Sequence, residues 1–334
     1  MRPFAFKRAA APDDAVKLAA ANRNSRFIAG GTNIIDLMKE GVERPDELVD
    51  ISRLALGVIR STADGGVSIG ALAKNTDTAN HPLIRKQYPL LTQAILAGAS
   101  PQIRNMATNG GNLMQRTRCH YFYDLGTPCN KRQPGSGCGA MDGLNRYSAI
   151  FGWSTSCVAV NPSDMCVALA ALDATVNIQS PDGKTRPIKF ADFHKLPLNS
   201  PEKDNTLNHG ELITSIDLPK NNFGANTYYL KLRDRSSYAF ALVSVAAAIE
   251  KAANGTIRQA RVALGGVAHK PWRADEAERF LQGKRAEDAV FREAAKLAVA
   301  KAQPLSDNAY KVRLAQRAIA RALNNANDGG TAAK

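Results

Sequence analysis

The sequence contains no run of 18 or more apolar residues, the shortest stretch expected of a helix that crosses a bilayer. Its first ten residues, M-R-P-F-A-F-K-R-A-A, do not lead into the apolar segment and cleavage site of a secretory signal. We therefore expect a chain with no membrane span and no export signal of its own. Such a chain would leave the cytoplasm only with a partner that carries a signal.

Patterns for several chemical functions are also missing. The sequence shows no Ser/His/Asp constellation and no paired carboxylates, so we expect no residue here to act as acid, base or nucleophile on a substrate. No distinct nicotinamide-binding fingerprint is present either. These absences point away from a self-contained hydrolase or NAD-dependent dehydrogenase.

Negative charge is scarce relative to positive charge. The 44 Lys and Arg residues exceed the 30 Asp and Glu residues, which gives a net charge of +14. The basic residues are scattered, aromatic residues make up only 6% of the chain, and no nucleic-acid-binding motif is present. We therefore expect no nucleic-acid partner. An acidic partner subunit or the phosphates of a cofactor would explain the charge equally well.

Cysteines are few but clustered. Four of the five lie within residues 119–157, a stretch with few aliphatic runs that cannot bury much apolar surface: they are Cys119, Cys129, Cys138 and Cys157. A metal centre held by four thiolates would organise such a stretch. The spacing C-x9-C-x8-C-x18-C matches neither ferredoxin patterns nor zinc ribbons, so by itself it leaves zinc, iron–sulfur and disulfides open. The fifth cysteine, Cys166, stands in an apolar helical pattern and is expected to be a buried side chain.

Periodicity predicts an α+β protein in three parts. Residues 1–57 form a small α/β subdomain, and residues 58–220 form a larger α+β subdomain that contains the cysteine insertion, residues 115–160. Residues 221–326 form a C-terminal domain with a three-stranded sheet and helices, and residues 327–334 form a disordered tail. The long helix predicted over residues 83–98 belongs to the second part.

Two glycine-bearing loops precede the clustered cysteines along the chain. A-G-G-T-N at residues 29–33 follows a predicted strand and precedes a predicted helix, and R-N-M-A-T-N-G-G-N-L follows at residues 104–113. Glycines let a backbone approach a phosphate closely, and successive N–H groups form an anion-binding nest. One such loop is equally well an ordinary turn. Two in one chain suit a dinucleotide with a pyrophosphate between them.

These segments resemble the FAD-binding subunit of the molybdenum-containing hydroxylases, the family of xanthine dehydrogenase and carbon monoxide dehydrogenase. The resemblance covers essentially the whole chain and rests on A-G-G-T-N, Q-I-R-N-M-A-T-N-G-G-N at 102–112, P-S-D-M at 162–165 and Y-L-K-L-R at 229–233. It implies a two-part FAD-binding domain followed by the family's C-terminal flavoprotein domain. It also implies that the two loops bind the FAD pyrophosphate, that Asp164 lies near the ribityl chain or flavin, and that Lys231 approaches the isoalloxazine. The predicted cofactor-binding residues are Arg26, Phe27, Ile28, Ala29, Gly30, Gly31, Thr32, Asn33, Thr108, Gly110, Gly111, Asn112, Arg118, Asp164 and Lys231. Arg118 is included because its charge, with that of Lys131, would offset the negative charge of a metal cluster held by the cysteines.

The insertion is similar to that of one subgroup, represented by the bacterial periplasmic aldehyde oxidoreductase, whose flavin subunit carries an additional [4Fe–4S] cluster. The similarity implies that Cys119, Cys129, Cys138 and Cys157 bind such a cluster. It also implies a heterotrimer with a large subunit that holds the molybdenum cofactor and a small subunit with two [2Fe–2S] clusters. FAD would pass electrons to an external acceptor, and the complex would be periplasmic if a partner carries an export signal, otherwise cytoplasmic. A flavin subunit of a purine or N-heterocycle hydroxylase, and a zinc-stabilised interaction module without redox function, remain the alternatives.

Overall fold

A computed structural model describes residues 1–330. The predicted disordered tail, residues 327–334, therefore lies partly outside the described residues. Within them the last helix ends at Asn327 and a turn follows it.

The N-terminal part is a three-stranded parallel sheet with two helices. Its elements are β1 (Ala5–Arg8), α1 (Pro12–Ala21), β2 (Ser25–Ile28), α2 (Ile34–Lys39) and β3 (Glu47–Asp50). The strand order is β1-β3-β2, so β3 is central and all four of its residues are buried. β1 has no signal in the sequence. All four of its residues are exposed, so it lacks the alternation of apolar and polar residues that a half-buried strand shows. Pairing with β3 defines it.

The second part is a five-stranded antiparallel sheet, ordered β4-β5-β8-β6-β7, covered by helices. Its strands are β4 (Ile59–Ser61), β5 (Val67–Gly70), β6 (Thr175–Gln179), β7 (Thr185–Lys189) and β8 (Leu212–Leu218). Its helices are α3 (Asn75–Asn80), α4 (Pro82–Gln87), α5 (Pro89–Ala97), α6 (Pro101–Met106), α7 (Asn109–Leu113), α8 (His120–Tyr123), α9 (Gly139–Asp142), α10 (Asp164–Ala171) and α11 (Phe190–Phe193).

The helix predicted over residues 83–98 is divided in two. Tyr88 separates α4 from α5 and has a non-helical backbone, with φ −133° and ψ 55°. Pro89 explains the break, because its ring disfavours helical geometry at the preceding residue. Pro89 then begins α5, where a missing N–H is tolerated.

The C-terminal part is an antiparallel sheet covered by three helices. Its elements are β9 (Thr227–Leu232), β10 (Val243–Lys251), β11 (Ile257–Gly265), β12 (Trp272–Arg273), α12 (Asp275–Leu281), α13 (Asp288–Val299) and α14 (Tyr310–Asn327). The sheet has four strands, ordered β12-β11-β10-β9, rather than the predicted three. The additional strand has only two residues, too short to give a periodic signal. None of the helices within residues 1–330 combines the length and the apolarity needed to cross a membrane.

The cysteine insertion is held by two different environments. Its first half packs on the N-terminal part, where Phe122 and Cys129 form a small buried cluster with Leu37 of α2. Its second half enters the C-terminal core, where Ile150 and Phe151 are buried. The expectation that the stretch buries little apolar surface therefore describes its first half only.

Candidate functional site

The turn at residues 30–33 presents unpaired backbone donors. Gly30, Gly31, Thr32 and Asn33 lie between β2 and α2, and their N–H groups donate to no acceptor among residues 1–330. Thr32 is exposed and the others are half-buried, so an anion can reach the turn from solvent. Successive free N–H groups of this kind suit a phosphate. The following helix has only six residues, so the turn itself supplies the donors.

Each glycine of this turn is required for its own reason. Gly31 has φ +73°, a left-handed conformation that favours glycine. A Cβ on Gly30 would stand 2.0 Å from the Met106 carbonyl oxygen, so Gly30 is needed because the two glycine loops touch there. The four predicted residues before Gly30 are half-buried, three in β2 and Ala29 just after it: Arg26, Phe27, Ile28 and Ala29.

The second loop uses its backbone donors within the protein. Gly110 N–H donates to the Ala71 carbonyl (2.8 Å), while Gly111 N–H donates to Thr108 Oγ1 (3.2 Å) and Asn112 N–H donates to the Thr108 carbonyl (2.8 Å). These residues form the cap and first turn of α7. The second loop therefore does not form a second nest of free donors. It supports the glycine turn at residues 30–33 and exposes its own backbone at Gly111.

The Ser-Asp pair joins the second loop to the C-terminal sheet. Ser163 Oγ donates to Asn112 Oδ1 (2.6 Å) and also caps α10 by accepting from Cys166 N–H (3.0 Å). Asp164 accepts from Lys231 Nζ (2.8 Å) and from the Tyr229 hydroxyl (2.7 Å). Burial and the Asp164 carboxylate raise the pKa of Tyr229 well above its usual value, which keeps that hydroxyl a donor. The predicted Asp164 and Lys231 thus form a buried ion pair.

The four clustered cysteines line one cavity. Cys119, Cys129, Cys138 and Cys157 line a small cavity of about 10 Å³ that opens partly to solvent. Cys129 and Cys138 face each other across an isolated β-bridge. Cys166 lies apart from this cavity, fully buried in α10, as expected.

Backbone N–H groups and one ammonium affect the charge on the cavity sulfurs. Burial raises the pKa of Cys119 to about 11, although the nearby backbone N–H groups of Phe122 and Tyr121 oppose the rise. Burial likewise raises the pKa of Cys157 to about 12, opposed by the charge of Lys131 and the Ala159 N–H. N–H groups directed at cysteine sulfurs are a feature of iron–sulfur sites.

The arrangement of the cysteines also bears on whether they form disulfides or bind a single metal ion. All five are free thiols, so they form no disulfide. Within residues 1–330 no three His, Cys, Asp or Glu side chains come close enough to share a single metal ion. Four free thiols that line one cavity are the donor set of both thiolate-bound zinc and iron–sulfur clusters.

A largely buried charge network adjoins the cavity at Lys131. Asp204 accepts from Lys131 Nζ (2.5 Å) and from Arg116 Nε (2.8 Å), and Arg116 NH1 also bonds to Glu43 (2.6 Å). Burial alone would raise the pKa of Asp204, but the charges of Lys131 and Arg116 outweigh it and lower the pKa to about 2. The backbone N–H of Arg116 donates to Asn33 Oδ1 (2.9 Å). One residue therefore links the cysteine insertion to the first glycine turn.

The predicted site residue Arg118 lies between the same two regions. Its NH1 donates to Asp36 of α2 (2.7 Å) and to the Tyr123 hydroxyl (2.9 Å), and its guanidinium lies over the Phe240 ring. Arg118 does not line the cysteine cavity, so the charge near the sulfurs comes from Lys131.

Sequence reasoning missed three contributors to these sites. Tyr229, Asp204 and Met106 come close to the site residues only through the tertiary fold. Tyr229 lies two positions before Lys231 on β9, and this spacing places both side chains on one face. Asp204 and Met106 carry no sequence signal of this kind.

Comparison with known families identifies the scaffold. The model of the FAD-binding domain in molybdopterin dehydrogenases matches residues 2–221, and that of the CO dehydrogenase flavoprotein C-terminal domain matches residues 228–326. The chain is an FAD-binding medium subunit of the molybdenum hydroxylase family. The predicted family and α+β fold class are thereby confirmed.

Several members of this family resemble the chain along most of its length. It is 48% identical to the aldehyde oxidoreductase FAD-binding subunit PaoB of Escherichia coli, over 97% of this chain and 98% of that protein. It is 31% identical to the glyceraldehyde dehydrogenase medium chain of Sulfolobus acidocaldarius, over 91% and 90% of the two chains. The solved CO dehydrogenase of Oligotropha carboxidovorans contains a chain with the same fold, with a TM-score of 0.78, 24% identity and 98% and 99% coverage.

Proposed function

We propose that this chain is the FAD- and [4Fe–4S]-carrying electron-transfer subunit of a heterotrimeric molybdenum-containing aldehyde oxidoreductase. The observation that carries the proposal is the coincidence of two features. The chain is 48% identical to an aldehyde oxidoreductase subunit over nearly its full length, and its four clustered cysteines line a single cavity.

Different residues of the chain would contact different parts of the FAD. FAD, when bound, accepts two electrons and releases them to an acceptor. The free N–H groups of residues 30–33 would bind its pyrophosphate, and the Met106 backbone fixes their position through Gly30. The Asp164–Lys231 pair would lie on the flavin side, where Tyr229 fixes the carboxylate and keeps the pair rigid.

The cysteine cavity would hold the cluster. An iron–sulfur cluster supplies one-electron transfer and requires its cysteines as thiolates. Cys119, Cys129, Cys138 and Cys157 would be the four ligands. The N–H groups of Tyr121, Phe122 and Ala159 and the Lys131 ammonium favour negative charge on the sulfurs.

The partners in this proposal are a large subunit with the molybdenum cofactor and a small subunit with two [2Fe–2S] clusters. The large subunit would oxidise the aldehyde to a carboxylic acid, and the flavin on this chain would deliver the electrons to quinone, oxygen or a protein acceptor rather than NAD. We place the complex in the periplasm on condition that a partner carries an export signal. Without such a signal the complex is cytoplasmic.

Analysis of iron, sulfide and flavin on the purified chain tests the proposal. We expect one FAD and one [4Fe–4S] cluster per chain and a visible spectrum with flavin bands and a broad brown shoulder. Cys129→Ser should lose the iron, whereas the matched variant Cys166→Ser should keep it, because Cys166 lies outside the cavity. A colourless protein that contains only zinc would indicate the interaction module instead.

The substrate class can be determined only with the assembled complex, because in this proposal the substrate pocket lies on another subunit. Co-purified partners should be identified first and the complex then assayed with benzaldehyde and with hypoxanthine. Turnover of benzaldehyde supports the aldehyde oxidoreductase. Turnover of hypoxanthine alone would assign the chain to a purine hydroxylase.

A further inference from the structure

Thr117 is a buried hydroxyl without a partner in the wall of the cysteine cavity. It precedes Cys119 by two residues, lines the cavity and is only 4% exposed. Its Oγ1 forms no hydrogen bond with any of residues 1–330. A buried hydroxyl that gives up water without a new partner destabilises the fold, so such groups normally have one.

The other polar side chains of the cavity wall have hydrogen-bond partners or can reach water. Lys131 Nζ donates to the Pro201 carbonyl (2.6 Å) and to Asp204 (2.5 Å), and Asn130 Nδ2 donates to the Ser156 carbonyl (3.1 Å). Tyr121 OH accepts from Leu144 N–H (2.7 Å), and Ser156 is half-buried and can reach water. Thr117 is the fully buried hydroxyl of this wall that remains free.

The backbone on both sides of Thr117 is fixed. The preceding arginine is held by Glu43 and Asp204, and the following one is held by Asp36. The hydroxyl therefore cannot leave the cavity wall for solvent without breaking the ion pairs on either side. Its remaining freedom is rotation about χ1, which allows it to meet a group inside the cavity.

We propose that Thr117 donates its hydroxyl hydrogen to a sulfur atom of the iron–sulfur cluster and thereby raises the cluster's reduction potential. The proposal rests on the proposed function, because it needs the cluster in the cavity. Reduction adds one electron and one negative charge, and a hydrogen-bond donor at sulfur stabilises that reduced form more than the oxidised form. Removal of the donor should therefore make reduction harder.

The test compares three variants of the full chain by potentiometric titration with dithionite, followed by electron paramagnetic resonance. Thr117→Val removes the hydroxyl at nearly constant volume, and Thr117→Ser keeps it. Thr155→Val is the matched control, because Thr155 also precedes a cavity cysteine by two residues but is exposed. At the wild-type midpoint potential, the reduced-to-oxidised ratio of Thr117→Val should fall about threefold or more. Thr117→Ser and Thr155→Val should stay at the wild-type ratio.

Two results would overturn this proposal alone: a Thr117→Val cluster with the wild-type midpoint, or a Thr117→Ser cluster that shifts as far as Thr117→Val. If Thr117→Val fails to assemble, Thr117→Ala and the wild type can be compared after exchange into deuterated water. Electron–nuclear double resonance should then show an exchangeable proton coupled to the wild-type cluster that Thr117→Ala lacks, and its presence in both would contradict the assignment. A wild-type chain without iron and sulfide would overturn the proposed function and this inference together.

Discussion

At the scale of single residues, the site depends on one position with no room for a side chain, Gly30, and on one carboxylate with both oxygens bonded, Asp164. Gly30 stands where two loops from different parts of the chain touch, and the obstacle to a Cβ there is a backbone carbonyl rather than a flexible side chain. Asp164 has both carboxylate oxygens bonded in a buried setting, so neither partner can be lost without leaving an unpaired group.

We expect Gly30→Ala to lose FAD binding. The new methyl group would stand 2.0 Å from the Met106 carbonyl oxygen, and the turn or the Met106 loop must move to relieve the clash. FAD per chain after gel filtration measures the effect. Gly57→Ala is the control, because its Cβ would lie 3.8 Å from the nearest atom and should leave FAD content unchanged. Wild-type FAD content in Gly30→Ala would contradict the assigned turn.

Lys231→Met should destabilise the protein and weaken FAD binding. It leaves the buried Asp164 carboxylate with Tyr229 as its remaining bonded side-chain partner, a change that typically costs about 3 kcal/mol or more. Urea unfolding and FAD titration of the apoprotein measure the two effects, with the exposed Lys220→Met as the control. Unchanged FAD affinity combined with lowered stability would assign the pair a structural role only.

At the scale of elements, the insertion is a connector between all three parts of the chain. Arg116 joins it to the turn before α2, and Lys131 joins it to the loop at Asp204. Its second half is bound by α14, where the fully buried Lys311 donates to the carbonyls of Tyr147 (2.8 Å), Ser148 (2.9 Å) and Gly266 (2.8 Å). Asn308 Nδ2 also donates to the carbonyls of Ser148 and Ala149, so side chains of the C-terminal part satisfy backbone groups that this segment leaves unpaired.

We therefore expect Lys311→Met to loosen the second half of the insertion. The carbonyls of Tyr147 and Gly266 would lose this donor, while Ser148 keeps Asn308 Nδ2, and the loss should lower the free energy of unfolding by about 2–3 kcal/mol. Thermal unfolding and limited proteolysis near residue 147 would measure this. Lys296→Met, at an exposed site on α13 paired with Glu293, should change neither. A Lys311→Met protein as stable as the control would show that the three bonds contribute little.

At the scale of the whole molecule, the partly buried network of Arg116, Asp204, Lys131 and Glu43 couples the N-terminal part, the insertion and the loop around residue 204. Its response to acid follows from the pKa of Asp204, which is lowered from 3.8 to about 2. The folded carboxylate holds its proton less strongly than the unfolded one. Its stabilisation is therefore complete above about pH 4 and is lost as the pH falls toward 2.

Asp204→Asn should remove this part of the acid dependence. We expect a loss of about 2–3 kcal/mol at neutral pH that disappears near pH 2, where the wild-type carboxyl is protonated as well. Denaturant unfolding at several pH values between 7 and 2 gives the two curves. The exposed Asp77→Asn should follow the wild type throughout. Parallel curves for Asp204→Asn and wild type would show that Asp204 does not titrate as described.

The sequence by itself determined most of the elements and the family of the scaffold. Periodicity predicted most helices and strands, and the glycine turns, the Ser-Asp pair and the clustered cysteines pointed to a flavin scaffold with an inserted centre. These features are local: each is carried by residues close together in the chain, where spacing alone sets which side chains share a face or a turn. β1 and β12 were not predicted, because they are defined by pairing with neighbouring strands and not by a residue pattern of their own.

Only the tertiary structure decided which groups are free and which are already used. It showed that the amides at residues 30–33 are unpaired, while those of Gly110, Gly111 and Asn112 already donate within the protein. It also showed that Arg118 binds Asp36 and that Lys131 lies near the sulfurs. It also left Thr117 as an unpaired hydroxyl in the cavity wall. These outcomes depend on contacts between residues tens of positions apart. Hydrogen-bond partners and burial at such distances follow from packing, which the local sequence does not encode.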